Sequence, residues 1–180
     1  MIRLSRVPLL AAFLCTVSCG YTPVDSTRLF GQAAILLDPI TENAPSGLAG
    51  ELTRSLTKTL GTGATNFTTD RAQATAILTG RVVSTRTRGA SITSTDRASE
   101  AFVFEARIEM TLTSTDSQSL LWQLDLPASE SFRQVTGTTS GALATETARR
   151  LAMSRLADAL ALEIREHLLI ASISLASEES

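Results

Sequence analysis

Ala101-Phe102-Val103-Phe104-Glu105-Ala106-Arg107-Ile108-Glu109-Met110-Thr111-Leu112 decides the fold. Phe102, Phe104, Ala106, Ile108, Met110 and Leu112 alternate with Val103, Glu105, Arg107, Glu109 and Thr111. That period of two is the mark of a strand with one face on a core and the other on water or a partner. Upstream, Ala76 to Val83 repeats the period, and the Thr-, Ser-, Gly- and Arg-rich segment from Thr85 to Ala98 reads as a frayed strand end and a long hairpin tip. Downstream, Asp116-Ser117-Gln118-Ser119 makes a turn, after which Trp122, Leu124 and Leu126 alternate with Gln123 and Asp125 until Pro127. Three strands therefore follow one another without an intervening helix.

The flanks complete the pattern. Ala33-Ala34-Ile35-Leu36-Leu37, stopped by Asp38-Pro39, predicts a short buried first strand. Pro45 and Ser46 then open a helix that carries Leu48, Leu52, Leu56 and Leu60 on one narrow face and ends at Gly61 and Gly63. A closing helix runs from about Thr139 to Leu169. Its main stripe is Met153, Ala157, Leu160, Ile164 and Leu168, and Leu151, Leu162 and Leu169 are expected to form a second. The predicted fold class is α+β: a two-layer sandwich in the order β-α-β-β-β-α, with a mixed four-stranded sheet and both helices on one face.

The amino terminus sets a location. Arg3 and Arg6 form a positive n-region, Val7 to Val17 an apolar run, and Ser18 the small residue before Cys19. The run is shorter than the roughly 20 helical residues that span a bilayer. A cysteine at such a cleavage point reads as the lipid-attachment site of a bacterial lipoprotein, with acyl chains including palmitate holding the chain on a membrane. Thr16 stands where Leu is usual in that motif. The expected organisation is a signal peptide over 1–18, a lipidated linker over 19–32, a folded domain over 33–170 and a disordered tail over 171–180.

Composition excludes several functions. Removing 1–18 takes the formal charge from −2 to −4 and leaves 162 residues, enough for one cored domain and with nothing global that points to nucleic acid. Two cysteines, one of them in the signal, allow neither a disulfide framework nor a cysteine-rich metal site. The one histidine, His167, lies near the end of the last helix, where a cation would favour the helix dipole, and is read as a cap or exposed residue ahead of a catalytic base. Glu105 and Glu109 share a strand face with Arg107 between them, which reads as cross-strand pairing or an interaction surface ahead of paired-carboxylate catalysis. No catalytic residue, metal ligand or cofactor is predicted, so the protein is expected to act by binding and not as an enzyme.

Cys19-Gly20-Tyr21, the helix after a short first strand, the Leu78-Thr79-Gly80-Arg81-Val82 strand, the Glu100 to Leu112 strand and the closing helix together resemble the LptE family of lipopolysaccharide-assembly outer-membrane lipoproteins. The resemblance runs from Cys19 to about Leu169. It implies a lipid-anchored protein on the periplasmic side of the outer membrane that plugs an LptD-type β-barrel, helps it fold and contacts lipopolysaccharide. It also implies basic residues near one end of the sandwich, for which Arg86, Arg88 and Arg97 in the second hairpin are the matches. Guanidinium groups suit that task because they offer phosphate two parallel hydrogen bonds. The alternative is a periplasmic lipoprotein that activates a cell-wall synthase or builds a secretion pore.

Overall fold

The computed structural model describes residues 34–61, 67–90, 101–134 and 139–178. Its elements are β1 (Ile35–Leu37), β2 (Thr41–Glu42), α1 (Leu48–Gly61), β3 (Phe67–Thr68), β4 (Ala76–Ala90), β5 (Ala101–Ser114), β6 (Leu120–Arg133) and α2 (Thr139–Glu178). All six strands join one sheet in the order β3-β1-β4-β5-β6, with β2 on β4 as well. β1 and β2 run parallel to β4, and β1 parallel to β3, whereas β4, β5 and β6 form an antiparallel meander. The sheet is mixed, as the pattern predicts. It has two strands more than predicted, β2 and β3, because two residues are too few to carry a period.

One face of the sheet holds the core. By register, Leu78 and Val82 of β4, Phe104, Ala106, Ile108, Met110 and Leu112 of β5, and Leu126 and Phe132 of β6 share that face. They are buried together with Leu48, Leu52, Leu56 and Leu60 of α1 and Ala152, Met153, Leu156, Ala157, Leu160, Ala161, Ile164 and Leu168 of α2. Both helices therefore lie on one side, and the alternation of β5 is the seam between the layers. Ser55 of α1 donates to Asp158 of α2 at 2.7 Å, joining the helices across the buried layer. Ala157 and Ala161 of α2 are fully buried nearby.

Three expectations change. β6 does not stop at Pro127 but continues to Arg133. Proline can sit inside a strand at a sheet edge, where its missing N–H is directed away from the partner, and β6 is such an edge. The second stripe of α2 is not the leucine stripe: Leu151 and Leu162 are 51% and 53% exposed, and Ala152, Leu156 and Ala161 are buried instead. Finally, α2 continues past Leu169 through 171–178, a segment expected to be tail. His167 consequently lies well before the last turn, where the dipole argument for a cation lapses.

The start of α1 is built by Glu42. Its carboxylate accepts from the Ser46 hydroxyl at 2.8 Å and from the backbone N–H groups of Gly47 and Ala49 at 3.2 and 3.4 Å. Those amides would otherwise lack an intrahelical acceptor. Gly47 takes φ +86°, a left-handed conformation that favours glycine. Partial burial pushes the Glu42 carboxyl up, but the hydrogen bonds from Ser46, Gly47 and Ala49 outweigh it and hold the pKa below the ordinary value.

Candidate functional site

The candidate site is the helix-free face of the β4-β5-β6 meander, and one irregularity arranges it. β4 pairs with β5 through Val82↔Ile108, skips Val83, and resumes at Ser84↔Arg107. The extra residue is a β-bulge, which reverses the side to which every later residue of β4 points. Without it, residues 84, 86 and 88 would follow 78, 80 and 82 onto the core face. With it, Thr85, Thr87 and Gly89 turn toward the helix side, and Ser84, Arg86 and Arg88 join Arg81 on the open side.

On that side the charges are interleaved. Arg81 pairs with Glu109 directly across the ladder at 2.7 Å. Arg107 forks onto Asp125, with Nε at 2.9 and 3.1 Å from the two carboxylate oxygens. The hydrogen bond raises the guanidinium pKa, and the same bond from Arg107 lowers that of Asp125. Arg88 reaches Glu105 with Nε at 3.0 Å and a closer Nη2 contact. Glu105 stands opposite Arg86 in register, yet its partner is the diagonal Arg88. Arg86 is thus left with no ion pair to any described residue. The two glutamates singled out from the sequence, Glu105 and Glu109, are each neutralised by an arginine.

By register the open face carries Arg81, Arg86, Arg88, Arg107 and Arg133 against Glu105, Glu109 and Asp125. Two positive charges are left over on a chain whose formal net charge is −2. Arg86 borders two depressions. One, of about 430 Å³, lies on the open face with Glu105, Arg107 and Pro127 in its lining. The other, of about 240 Å³, lies round the edge of β4 with Phe104 and Arg149. Glu146 near the start of α2 is bonded by both Arg149 and Arg150, at 2.9 Å each, which holds its pKa down at about 2. One carboxylate shared by two guanidiniums adds a further cationic excess beside Arg86.

The structure therefore separates the three predicted arginines. Arg86 and Arg88 do project to one side, but Arg88 is committed to Glu105 and Arg86 is not; Arg97 lies outside the described residues, as does Cys19. Sequence reading missed the Arg149-Glu146-Arg150 cluster, for which the three- and four-residue spacing on a helix was the available signal. Among the described residues no cluster of His, Cys, Asp or Glu could hold a metal ion, and no helix is long and apolar enough to cross a membrane.

Comparison with known proteins gives these features a setting. The model of the LptE lipopolysaccharide-assembly family matches residues 33–168. No curated protein sequence matches the chain. Among solved structures, rare lipoprotein B from Shewanella oneidensis superposes with a TM-score of 0.55 at 13% identity, covering 78% of this chain and 98% of its own. A Caulobacter crescentus protein superposes with a TM-score of 0.54 at 14% identity, over 81% and 95% of the two chains. A Xanthomonas campestris protein gives 0.53 at 10% identity, over 81% and 88%. At these identities the superpositions establish a shared fold.

Proposed function

Because the chain belongs to the LptE lipopolysaccharide-assembly family, we propose that it is a lipoprotein held by acyl chains on Cys19 at the periplasmic side of the outer membrane. There it plugs an LptD-type barrel, assists the folding of that barrel and contacts lipopolysaccharide by binding alone, with no catalytic step and no cofactor. The polar, charged open face of the sheet suits the interior of a wide barrel, which is itself polar. The observation that carries the lipopolysaccharide contact is Arg86, a guanidinium with no carboxylate partner among the described residues, set between two depressions and close to Arg149. A phosphate on the ligand supplies the anion that Arg86 lacks.

The three arginines identified from the sequence are then unequal. Arg86→Ser weakens lipopolysaccharide binding several-fold while melting temperature and copurification of the barrel stay unchanged. Arg88→Ser has a smaller effect, because Arg88 is already neutralised and its loss frees Glu105 beside Arg86. Arg97→Ser is the third arm of the comparison. Binding of purified lipopolysaccharide to each variant, with native-membrane pull-down for the barrel and the mass of the Cys19 peptide for the anchor, tests the reading. Equal binding by the native chain and Arg86→Ser would return Arg86 to a solubilising role.

A further inference from the structure

We propose that the upper edge of β6 and the adjoining flank of α2 form a docking site for an extended strand of a partner protein. That strand alternates apolar and polar side chains and carries an acidic residue near its centre. The inference stands apart from the lipopolysaccharide reading, since it uses none of the arginines invoked there.

The backbone comes first. Among the described residues β6 pairs on one side only, with β5. In an antiparallel ladder, alternate residues direct both backbone groups to the partner strand and the rest direct them away. Pro127 has no N–H and sits within an unbroken register opposite Arg107, so it belongs to the outward set. The register holds without a shift to Arg133, so Ser129, Ser131 and Arg133 also point their N–H and C=O groups to the open edge. The parity agrees with the far side of the meander: two positions along from one another, Leu78 and Gly80 of β4 turn their carbonyls outward, to the Asp38 N–H and the Thr41 hydroxyl. Three consecutive outward residues above a proline make a template about 17 Å long at roughly 3.4 Å per residue.

The second observation is the groove beside this template. A depression of about 470 Å³ lies at the end of β6 beside α2 and reaches Ala101 and Val103 of β5; Phe132 and Leu151 are the large apolar side chains of its lining and Arg133 and Arg155 its charged ones. Leu151 is 51% exposed, and neither arginine pairs with a carboxylate of a described residue. A strand added to the edge would alternate its side chains between α2 and the open side, which is how strand addition combines backbone affinity with side-chain specificity. On the α2 side apolar side chains meet Leu151, with Arg155 beside it, and on the open side an acidic one answers Arg133. A second copy of this chain is the poorer match: its own edge brings the carboxylate of Glu130, but with it a second Arg133.

A random nine-residue peptide library panned against the full chain tests this. The expected enrichment is for peptides that alternate apolar and polar residues and include Asp or Glu. A synthetic peptide of that type binds the native chain saturably and at least tenfold more weakly to Ser131→Pro, which removes only an outward N–H, and to the double variant Arg133→Glu/Arg155→Glu. If Ser131→Pro fails to fold, the double variant on the surface carries the comparison. Absence of enrichment, enrichment without an acidic residue or without alternation, or binding that survives the substitutions overturns the proposal. Sedimentation showing a dimer of the native chain that Ser131→Pro dissolves would assign the edge to a second copy and overturn it likewise.

Discussion

Below the Val83 bulge, β4 turns Leu78, Gly80 and Val82 toward the helices and is flanked by β1 and β2; above it, the same strand turns Thr85, Thr87 and Gly89 inward, with no strand pairing its outer edge among the described residues. The lower half is closed by short parallel strands and by α1. The upper half is a three-stranded blade with no further strand on either edge among the described residues, the arginine excess on one face and the first turns of α2 on the other. The proposed binding chemistry therefore lies above the bulge, on exposed side chains whose replacement costs the core little.

The most direct test removes the boundary itself. Deleting Val83 takes out the extra residue and leaves Ser84 opposite Arg107, so the ladder becomes regular and Arg86 and Arg88 keep the open face. Hydrogen exchange should then show residues 84–90 as protected as in the native chain. Loss of protection confined to 84–90 would mean that the bulge itself, and not the register beyond it, holds the upper half.

Next come truncations on either side of the boundary. Ile164→Ala, at a fully buried position of α2, should lower stability by about 2 to 5 kcal/mol in denaturant unfolding. Gly80→Ala should cost about 1 to 3 kcal/mol, because a Cβ there would lie 2.6 Å from Met110 Sδ and 3.0 Å from Ile40 Cγ1, and the buried sheet face has little room to relax. Arg86→Ser should stay within about 0.5 kcal/mol of the native chain. Equal losses at all three would erase the distinction between the halves.

The smallest effect separates the halves by pH. The folded Glu42 carboxyl has a lowered pKa, so its contribution is complete above the ordinary carboxylate range and is lost as pH falls through the lower folded value. Glu42→Gln should reduce stability by about 1 kcal/mol at pH 7, the usual worth of a helix cap. The gap between the two proteins should close in acid. A gap that is constant with pH would show that the hydrogen-bonding shape of residue 42 matters and its charge does not.

The layer arrangement was legible because it rests on periodicity. Alternation in β5 and the four leucines of α1 were visible as residue types at fixed spacings, and all of them turned out buried except Phe102, which is half-buried at the start of the strand. What failed had no period to read. β2 and β3 are two residues each, Pro127 looked like a stop because edge position is unknown before pairing, and the alanines of α2 looked less apolar than Leu151 and Leu162. Arg86 and Arg88 were visible as a pair two residues apart, but which of them is free depends on whether Glu105 chooses the residue opposite or the diagonal one.

By itself, the order of amino acids determined the classes of element, their succession, the core face of each long strand and a cationic segment in the second hairpin. Those follow from local rules, since the direction of a side chain along a strand or helix repeats with a fixed period. Only the tertiary structure decided on which face the cations emerge, which arginine is left without a carboxylate, and which backbone edges stay open. Those outcomes depend on register between strands, and one unpaired residue at Val83 is enough to reverse them.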